Sequence, residues 1–300
     1  MEVATVVEQN SKPNFMDTHP RIKSMLSFCR RFAKSKSALF GLILVLLVLI
    51  TAIFAPQLAP GDPYAINLMK RLAPPSGEEL LGRDDFGRDI LSRIIYGSRV
   101  SLQVGIASTL VALGIGVPLG LVAGYYGGRI DNLIMRFLDI MMAFPSILLA
   151  LTLVAAFGAS MISIILAIGV VSVPKYARIT RSSALTVKSM EYIDAATVLG
   201  SSTFRVLFKH ILPNCVAPII VYATMGMAGA ILTEAGLSFL GMGTQPPTPS
   251  WGGMLANGRE FLRTAPHIAT FPGIAIMLTV LGFNLLGDGL RDVLDPRLKS

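Results

Sequence analysis

The side chains that carry most enzyme chemistry are few and scattered in this sequence of 300 residues. The three histidines, His19, His210 and His267, are too far apart to form a local metal-ligand motif. No glycine-rich run leads into Gly-Lys-Ser or Gly-Lys-Thr, so the loop that cradles nucleotide phosphates is missing from the sequence. We therefore predict no catalytic residue, no metal ligand and no cofactor in this chain.

Three ionisable residues lie beside or within long apolar runs. Arg136 and Asp139 are three residues apart, which places them on one face of a helix, where they can form an ion pair. An unpaired charge at mid-membrane costs about 2.5–3.5 kcal/mol on insertion scales. We therefore expect a structural pair near an inner gate. Glu234 lies at the end of another apolar run, where it would either line a pathway or extend to the membrane surface as an end-cap.

The composition is that of a membrane protein. Hydrophobic residues make up 53% of the chain, charged residues only 15%, and the mean hydropathy is +0.64, whereas soluble domains average about 25% charged residues. The net charge of +8 is spread between the apolar runs, so we expect membrane lipid and no nucleic acid as a partner. The fold class predicted is all-α and polytopic, and Cys29 and Cys215 are not expected to form a disulfide.

Apolar stretches of about 20 residues predict six transmembrane helices. The uncharged stretch 140–174 is too long for one crossing, and Gly158-Ala159-Ser160 is expected to turn it into a hairpin. The first stretch follows about 37 polar and basic residues, which favours a retained anchor over a cleaved signal peptide. The predicted spans are 38–58, 100–126, one from about Leu133, one ending near Pro174, 211–233 and 267–286.

The basic residues predict the orientation. With both termini in the cytoplasm, 18 of the 26 lysine and arginine residues lie on the inner side. The division expected is a tail with an amphipathic interfacial helix in 1–37, a first helix in 38–58, an extracytoplasmic segment in 59–98, a five-helix core in 99–290, and a tail in 291–300. An ordinary basic stretch beside the membrane is the alternative to the amphipathic helix. The outer segment would be either a structured lobe or a solvated loop.

The longest inner segment, 175–214, is far longer than a simple turn requires. Its pattern predicts a short helix from Glu191, a break at Gly200, a serine N-cap and a second short helix stopped by Pro213. An apolar face of the second helix would have to be covered by the bilayer or by a partner protein. Its members would be Phe204, Leu207, Phe208 and Ile211.

This segment resembles the EAA loop of bacterial ABC importer permeases. The resemblance rests on Asp194-Ala195-Ala196, Gly200 and Ile211-Leu212-Pro213, with Asp194 where the family usually has glutamate. It implies that the segment docks into a cleft of an ATPase subunit and transmits its motion. The residues expected to make this contact are Asp194, Ala195, Ala196, Gly200, Phe204, Leu207, Phe208, Ile211 and Pro213.

Segments 81–93, 96–102, 241–252 and 284–296 are similar to the peptide and nickel branch of that family, and the whole pattern resembles its C-type dipeptide and oligopeptide permeases. The resemblance implies a bacterial inner-membrane subunit for ATP-driven import of peptides. It also implies a homologous second permease, two ATPase subunits that carry the catalysis, and an extracytoplasmic peptide-binding protein. Nickel or another small solute is the alternative within the family, and an ion-coupled secondary carrier is the alternative outside it.

Two further features of the sequence concern helix packing and surface contacts. Gly116, Gly120 and Gly124 recur every four residues, a spacing that lets helix backbones approach closely; a mobile gate element is the alternative. Trp251, the one tryptophan of the chain, would either anchor the protein at the membrane interface or contact the binding protein.

Overall fold

The structure is a computed structural model that describes residues 30–294, and within that range the chain is helical and contains no strand. Most of the predicted amphipathic helix lies outside the described residues. The helices are α1, Lys36–Ile53; α2, Ala55–Leu58; α3, Ile90–Tyr126; α4, Gly128–Met142; α5, Ser146–Phe157; α6, Met161–Lys188; α7, Glu191–Val198; α8, Thr203–Phe239; α9, Trp251–Gly258; and α10, His267–Leu294.

Five of these helices, α1, α3, α6, α8 and α10, are long and apolar enough to cross a membrane. A sixth span is present only if α4 and α5 together count as one bent span, with 86° between their axes. The third span, predicted from about Leu133, is therefore interrupted, and its first helix begins five residues earlier, at Gly128. Pro145 precedes α5 and has no N–H to donate, and it disfavours helical geometry at the residue before it, so the helix breaks there. The predicted turn at 158–160 is confirmed between α5 and α6.

Helix α6 continues well past the predicted end near Pro174. It runs to Lys188, with Pro174 buried inside the helix. A proline removes one helical hydrogen bond, but packing against a neighbouring helix can outweigh that loss within a membrane. About a third of the predicted 175–214 loop, residues 175–188, is therefore a continuation of the fourth span.

The three spaced glycines of α3 form its contact with α6. A Cβ atom on Gly116 would lie 2.8 Å from Cβ of Tyr176, and one on Gly124 would lie 2.8 Å from Cβ of Ala184. Both distances are too short for a real Cβ atom. The close-packing role predicted for these glycines is confirmed, and it brings two long spans together along much of their length.

The segment before α3, predicted to be extracytoplasmic, is a structured lobe. Arg88 Nε donates to Asp84 Oδ2 at 2.7 Å, and the backbone N–H of Arg88 donates to Oδ1 of the same carboxylate at 2.9 Å. Hydrogen bonds from Arg83 and Lys70 hold the pKa of Glu79 below its usual value. Asp89 caps α3 by accepting from the N–H of Ser92, so the helix starts ten residues before the predicted span.

Trp251 is a core residue of the helical bundle. It is 2% exposed, its Nε1 donates to the carbonyl oxygen of Ile94 at 2.9 Å, and its ring lies where a side chain on Gly97 would be. Both predictions for Trp251 are wrong, because the indole joins α9 to α3 inside the protein and leaves little surface for lipid or a partner.

Candidate coupling segment

The chain reverses direction between α7 and α8 at Gly200. The N–H of Gly200 donates to the carbonyl of Thr197 and that of Ser201 to the carbonyl of Ala196, each at 3.0 Å. This is the Schellman pattern that ends helices at a left-handed residue. Gly200 has φ of +79°, a conformation that costs glycine little and other residues more. The glycine break predicted from the sequence is confirmed.

Helix α7 is fixed to the bundle by one face only. Ile193 is buried, and Asn214 Nδ2 of α8 donates to the hydroxyl of Tyr192 at 3.1 Å. Asp194 and Ala195 are exposed on the other side. Neither Tyr192 nor Asn214 was predicted to hold the segment, because nothing in the local sequence indicates that they meet.

The second short helix is the start of the fifth span. The hydroxyl of Ser202 caps it by accepting from the N–H of Arg205 at 3.4 Å, and the helix then runs without a break to Phe239. The predicted stop at Pro213 is wrong. Val206–Ile211 form a π-helical turn, in which Leu212 donates to Leu207, five residues back. The proline follows directly, and this altered bonding accommodates its missing N–H.

The predicted apolar face is divided by this turn. Leu207 and Ile211 are buried, and they pack with Ile193 and with Cys215 of α8. Phe204 and Phe208 point outward, with their ring centroids 4.4 Å apart, and are 69% and 45% exposed. The prediction of one shared face is wrong, because each phenylalanine and the aliphatic residue three positions after it lie on different faces of the π turn.

The exposed aromatic pair lies beside the end of α7, where two further large side chains are uncovered. Val198 is 87% exposed and Leu199 is 86% exposed. Single exposed apolar residues are normal, whereas a group of them usually marks a contact with a partner or a membrane. We call the following four residues the apolar patch: Val198, Leu199, Phe204 and Phe208.

The candidate gate residues are arranged differently from the prediction. Asp139 pairs with Arg178 of α6 at 2.5 Å instead of with Arg136. The reason is the length of α6, which brings two arginines past the predicted helix end to the level of α4. The second of them, Arg181, binds both carboxylate oxygens of Asp131. No local sequence pattern predicts these pairs, since 39 and 50 residues separate the partners.

Glu234 has no exposed surface. The hydroxyl of Ser238 donates to its Oε1 at 2.7 Å, while Oε2 makes no hydrogen bond with the residues that the structure describes. The end-cap alternative is wrong, because α9 covers this end of α8, with Gly252 against Ala235 and Ser238. A role in the pathway stays a prediction.

The family models agree with this architecture. The model described as the inner membrane component of binding-protein-dependent transport systems matches residues 116–300, which hold the bent pair, α6, the apolar patch and the last two spans. The chain belongs to this family. The model of the N-terminal transmembrane domain of oligopeptide transport permease C matches residues 25–75 of the permease.

The permease is similar over most of its length to curated bacterial proteins. It is 48% identical to the dipeptide transport system permease protein DppC of Alkalihalophilus pseudofirmus, covering 98% of this chain and 96% of the relative. It is 51% identical to DppC of Escherichia coli, covering 91% and 93%. The di/tripeptide permease DppC of Pseudomonas aeruginosa is 47% identical, covering 91% and 92%.

The permease also has the fold of a solved transporter. Its structure matches a chain of the inward-facing MetNI methionine ABC transporter with a TM-score of 0.55 and 18% sequence identity. The match covers 67% of this chain and 96% of that chain. At this identity the likeness concerns the fold alone.

Proposed function

We propose that this permease forms half of the membrane pathway of an ATP-driven importer for di- or oligopeptides. The relatives named above are dipeptide or di/tripeptide permeases at 47–51% identity, and another, at 47%, is a glutathione transport system permease protein of Pectobacterium atrosepticum. The substrates in these names are all small molecules that contain one to a few peptide bonds. These names favour a peptide over nickel as the substrate. Membership of a binding-protein-dependent transport family argues against the alternative of an ion-coupled carrier.

The complete importer holds a homologous second permease, two ATPase subunits and an extracytoplasmic peptide-binding protein. Both termini of this chain are cytoplasmic, because that orientation places most lysine and arginine residues on the inner side. The structured lobe before α3 then faces the binding protein. The ATPase subunits carry out hydrolysis, and this chain converts their motion into opening of the pathway.

The observation that carries the coupling role is the apolar patch. Its four large side chains project from a turn that is held rigidly by the Gly200 hydrogen bonds, the buried Ile193 and the start of a transmembrane helix. A cleft on an ATPase subunit would cover these side chains. Asp194 is exposed on the same short helix and offers a carboxylate to a basic group or backbone N–H at the rim of the cleft. Because α7 and α8 are fixed at Ile193 and Asn214, movement of the patch would tilt the fifth span.

Reconstitution tests the proposal. The complete complex in proteoliposomes should accumulate a radiolabelled dipeptide when ATP and the loaded binding protein are supplied, and omission of the ATPase subunits should abolish uptake. A proton gradient without ATP should drive none. Phe204→Ser and Phe208→Ser should reduce recovery of the ATPase subunits with the tagged permease, whereas Ser189→Ala should not. Uptake by this chain alone in response to a proton gradient would contradict the proposal.

A further inference from the structure

A groove made of two adjoining cavities runs between α6 and α8. An outer cavity of about 260 Å³ and an inner cavity of about 650 Å³ both lie along it, and they share Tyr222 and Met225 in their walls. The wall residues recur every three or four positions on each helix, so one face of each helix lines the whole groove. On α6 this face includes Ile168, Ser172, Lys175, Ile179 and Thr186.

Lys175 is the cation in the wall of the outer cavity. It lies fourteen residues after the start of α6, so about 21 Å along the helix at 1.5 Å per residue. Its side chain is exposed, and it makes no ion pair or hydrogen bond with the residues of range 30–294. The next cation on the helix, Arg178, is bound to Asp139. Unpaired charges at membrane depth face cavities and mark substrate pathways more often than they face lipid.

The hydroxyl of Tyr176 is a second polar group at the same level. Tyr176 is only 3% exposed, and its hydroxyl lies in the space that a side chain on Gly226 would fill. The ring is held edge-on to Tyr222, with centroids 5.0 Å apart. Thr109 lies near the Tyr176 hydroxyl, but the two hydroxyls are not placed to form a hydrogen bond. The buried Tyr176 hydroxyl therefore has no partner within the described range. Buried polar groups are almost always bonded, and this one borders the cavity.

The charges of the groove favour an anion. Among residues 30–294, the walls of the two cavities include Lys175 and Arg291 and contain no aspartate or glutamate. Ser172 and Thr233 donate to carbonyls of their own helices, which leaves their oxygens as acceptors for N–H groups. Such a wall suits a small molecule that carries a carboxylate beside amide N–H groups.

We propose that the α6–α8 groove carries the peptide through the membrane and that Lys175, assisted by the Tyr176 hydroxyl, binds the peptide's carboxylate on the way. This rests on the proposed function, since it assigns residues to the pathway of a peptide importer. The ammonium group and the phenol supply the donors that replace water around the carboxylate. Tyr222 and Met225, which border both cavities, form the passage from the outer cavity to the inner one.

Variants of Lys175 in the complete reconstituted complex test the assignment. The measurement is the amount of radiolabelled dipeptide imported per ATP hydrolysed, with saturating loaded binding protein. Lys175→Arg should retain the wild-type ratio. Lys175→Met should lower it about tenfold, because a charge-assisted hydrogen bond is lost. Lys175→Glu should lower it further through repulsion of the carboxylate. Tyr176→Phe, which keeps the ring packing, should lower it several-fold.

Stimulation of ATP hydrolysis by the loaded binding protein should survive in all four variants, because the apolar patch is unchanged. Lys188→Met is the matched control, since Lys188 lies on the same helix outside the groove walls, and it should import normally. Wild-type ratios in Lys175→Met and Lys175→Glu, or a higher ratio in Lys175→Glu than in Lys175→Met, would overturn the proposal. So would loss of the second permease from the Lys175→Met complex, because the lower import would then come from disassembly and not from a lost contact with the peptide. Absence of peptide import by the wild-type complex would instead refute the proposed function, and this assignment with it.

Discussion

Arg181 binds Asp131 through both carboxylate oxygens, at 2.5 Å each, and so fastens the first turn of α4 to α6. The Asp131 side chain is 11% exposed and that of Arg181 is 33% exposed. The neighbouring pair, Asp139 with Arg178, joins the same two helices by a single contact, and its side chains are 52% and 48% exposed. The two pairs therefore form a matched comparison of a sheltered and an open ion pair.

Double-mutant cycles should separate these two pairs. For Asp131→Asn and Arg181→Gln we expect a coupling energy of about 1–3 kcal/mol in thermal unfolding of the detergent-solubilised protein, since hydrogen bonds to charged groups in sheltered sites have that strength. For Asp139→Asn and Arg178→Gln we expect less than about 1 kcal/mol, because water screens exposed pairs. Equal coupling energies for the two pairs would contradict this account.

The glycine contact between α3 and α6 gives a second prediction. A Cβ atom on Gly120 would run into the Ala177 carbonyl and lie 2.7 Å from the Thr180 Cβ, whereas one on Gly114 of the same helix would meet nothing within 4 Å. Gly120→Ala should therefore lower the free energy of unfolding by about 1–3 kcal/mol through overpacking. Gly114→Ala should be neutral or stabilising by up to about 1 kcal/mol, because alanine favours the helix.

Thermal unfolding of the two alanine variants in detergent, with the yield of folded protein, measures the difference. A normal melting temperature for Gly120→Ala would show that the two helices can separate without loss of stability. The alternative of a mobile gate element would then regain support.

The close contacts of the bundle were predictable where a short-range pattern encodes them. The spacing of Gly116, Gly120 and Gly124 indicated a helix contact, and Gly200 followed by serines indicated a turn. Both signals are local, because each reflects backbone geometry within a few residues. The continuation of α6 through Pro174 was not predictable in the same way. It depends on α3 packing alongside, and that contact outweighs the local penalty of proline.

The side-chain partners were less predictable than the helices. The three-residue spacing predicts Arg136 as the partner of Asp139, but the observed partner, Arg178, belongs to another helix. Trp251 was placed at a surface because interfacial tryptophans are common, although its contact with Ile94 buries it. Partners separated by tens of residues are set by how whole helices pack, and one sequence carries no direct signal of that packing.

The orientation of the chain can be tested by cysteine labelling. In a chain with Cys29→Ser and Cys215→Ala, single cysteines at Ser76 and Thr248 should react with an impermeant maleimide in spheroplasts, because both positions are exposed on the proposed outer side. A cysteine at Ser189 is equally exposed, on the proposed inner side, and should react only after permeabilisation. Labelling of Ser189→Cys in intact spheroplasts would contradict the proposed topology.

The turn at Gly200 provides the sharpest test of coupling. A Cβ atom there would meet nothing within 4 Å, so a substitution acts through the backbone and not through a clash with neighbours. At φ of +79° a β-branched residue is strained, whereas asparagine tolerates this region better. We expect Gly200→Val to change the direction of the chain between Leu199 and Thr203 and so separate Val198 and Leu199 from Phe204 and Phe208. Gly200→Asn should retain most of the function.

Because the spans lie outside this turn, Gly200→Val should insert and accumulate nearly normally while peptide uptake and stimulated ATP hydrolysis are lost. Ser189→Ala, beyond the turn, should leave both unchanged. Uptake by each variant is compared at equal amounts of permease in the membrane, and recovery of the ATPase subunits with the tagged permease shows whether docking itself fails. If Gly200→Val is present at normal levels and imports peptide at the wild-type rate, the apolar patch does not couple ATP hydrolysis to transport.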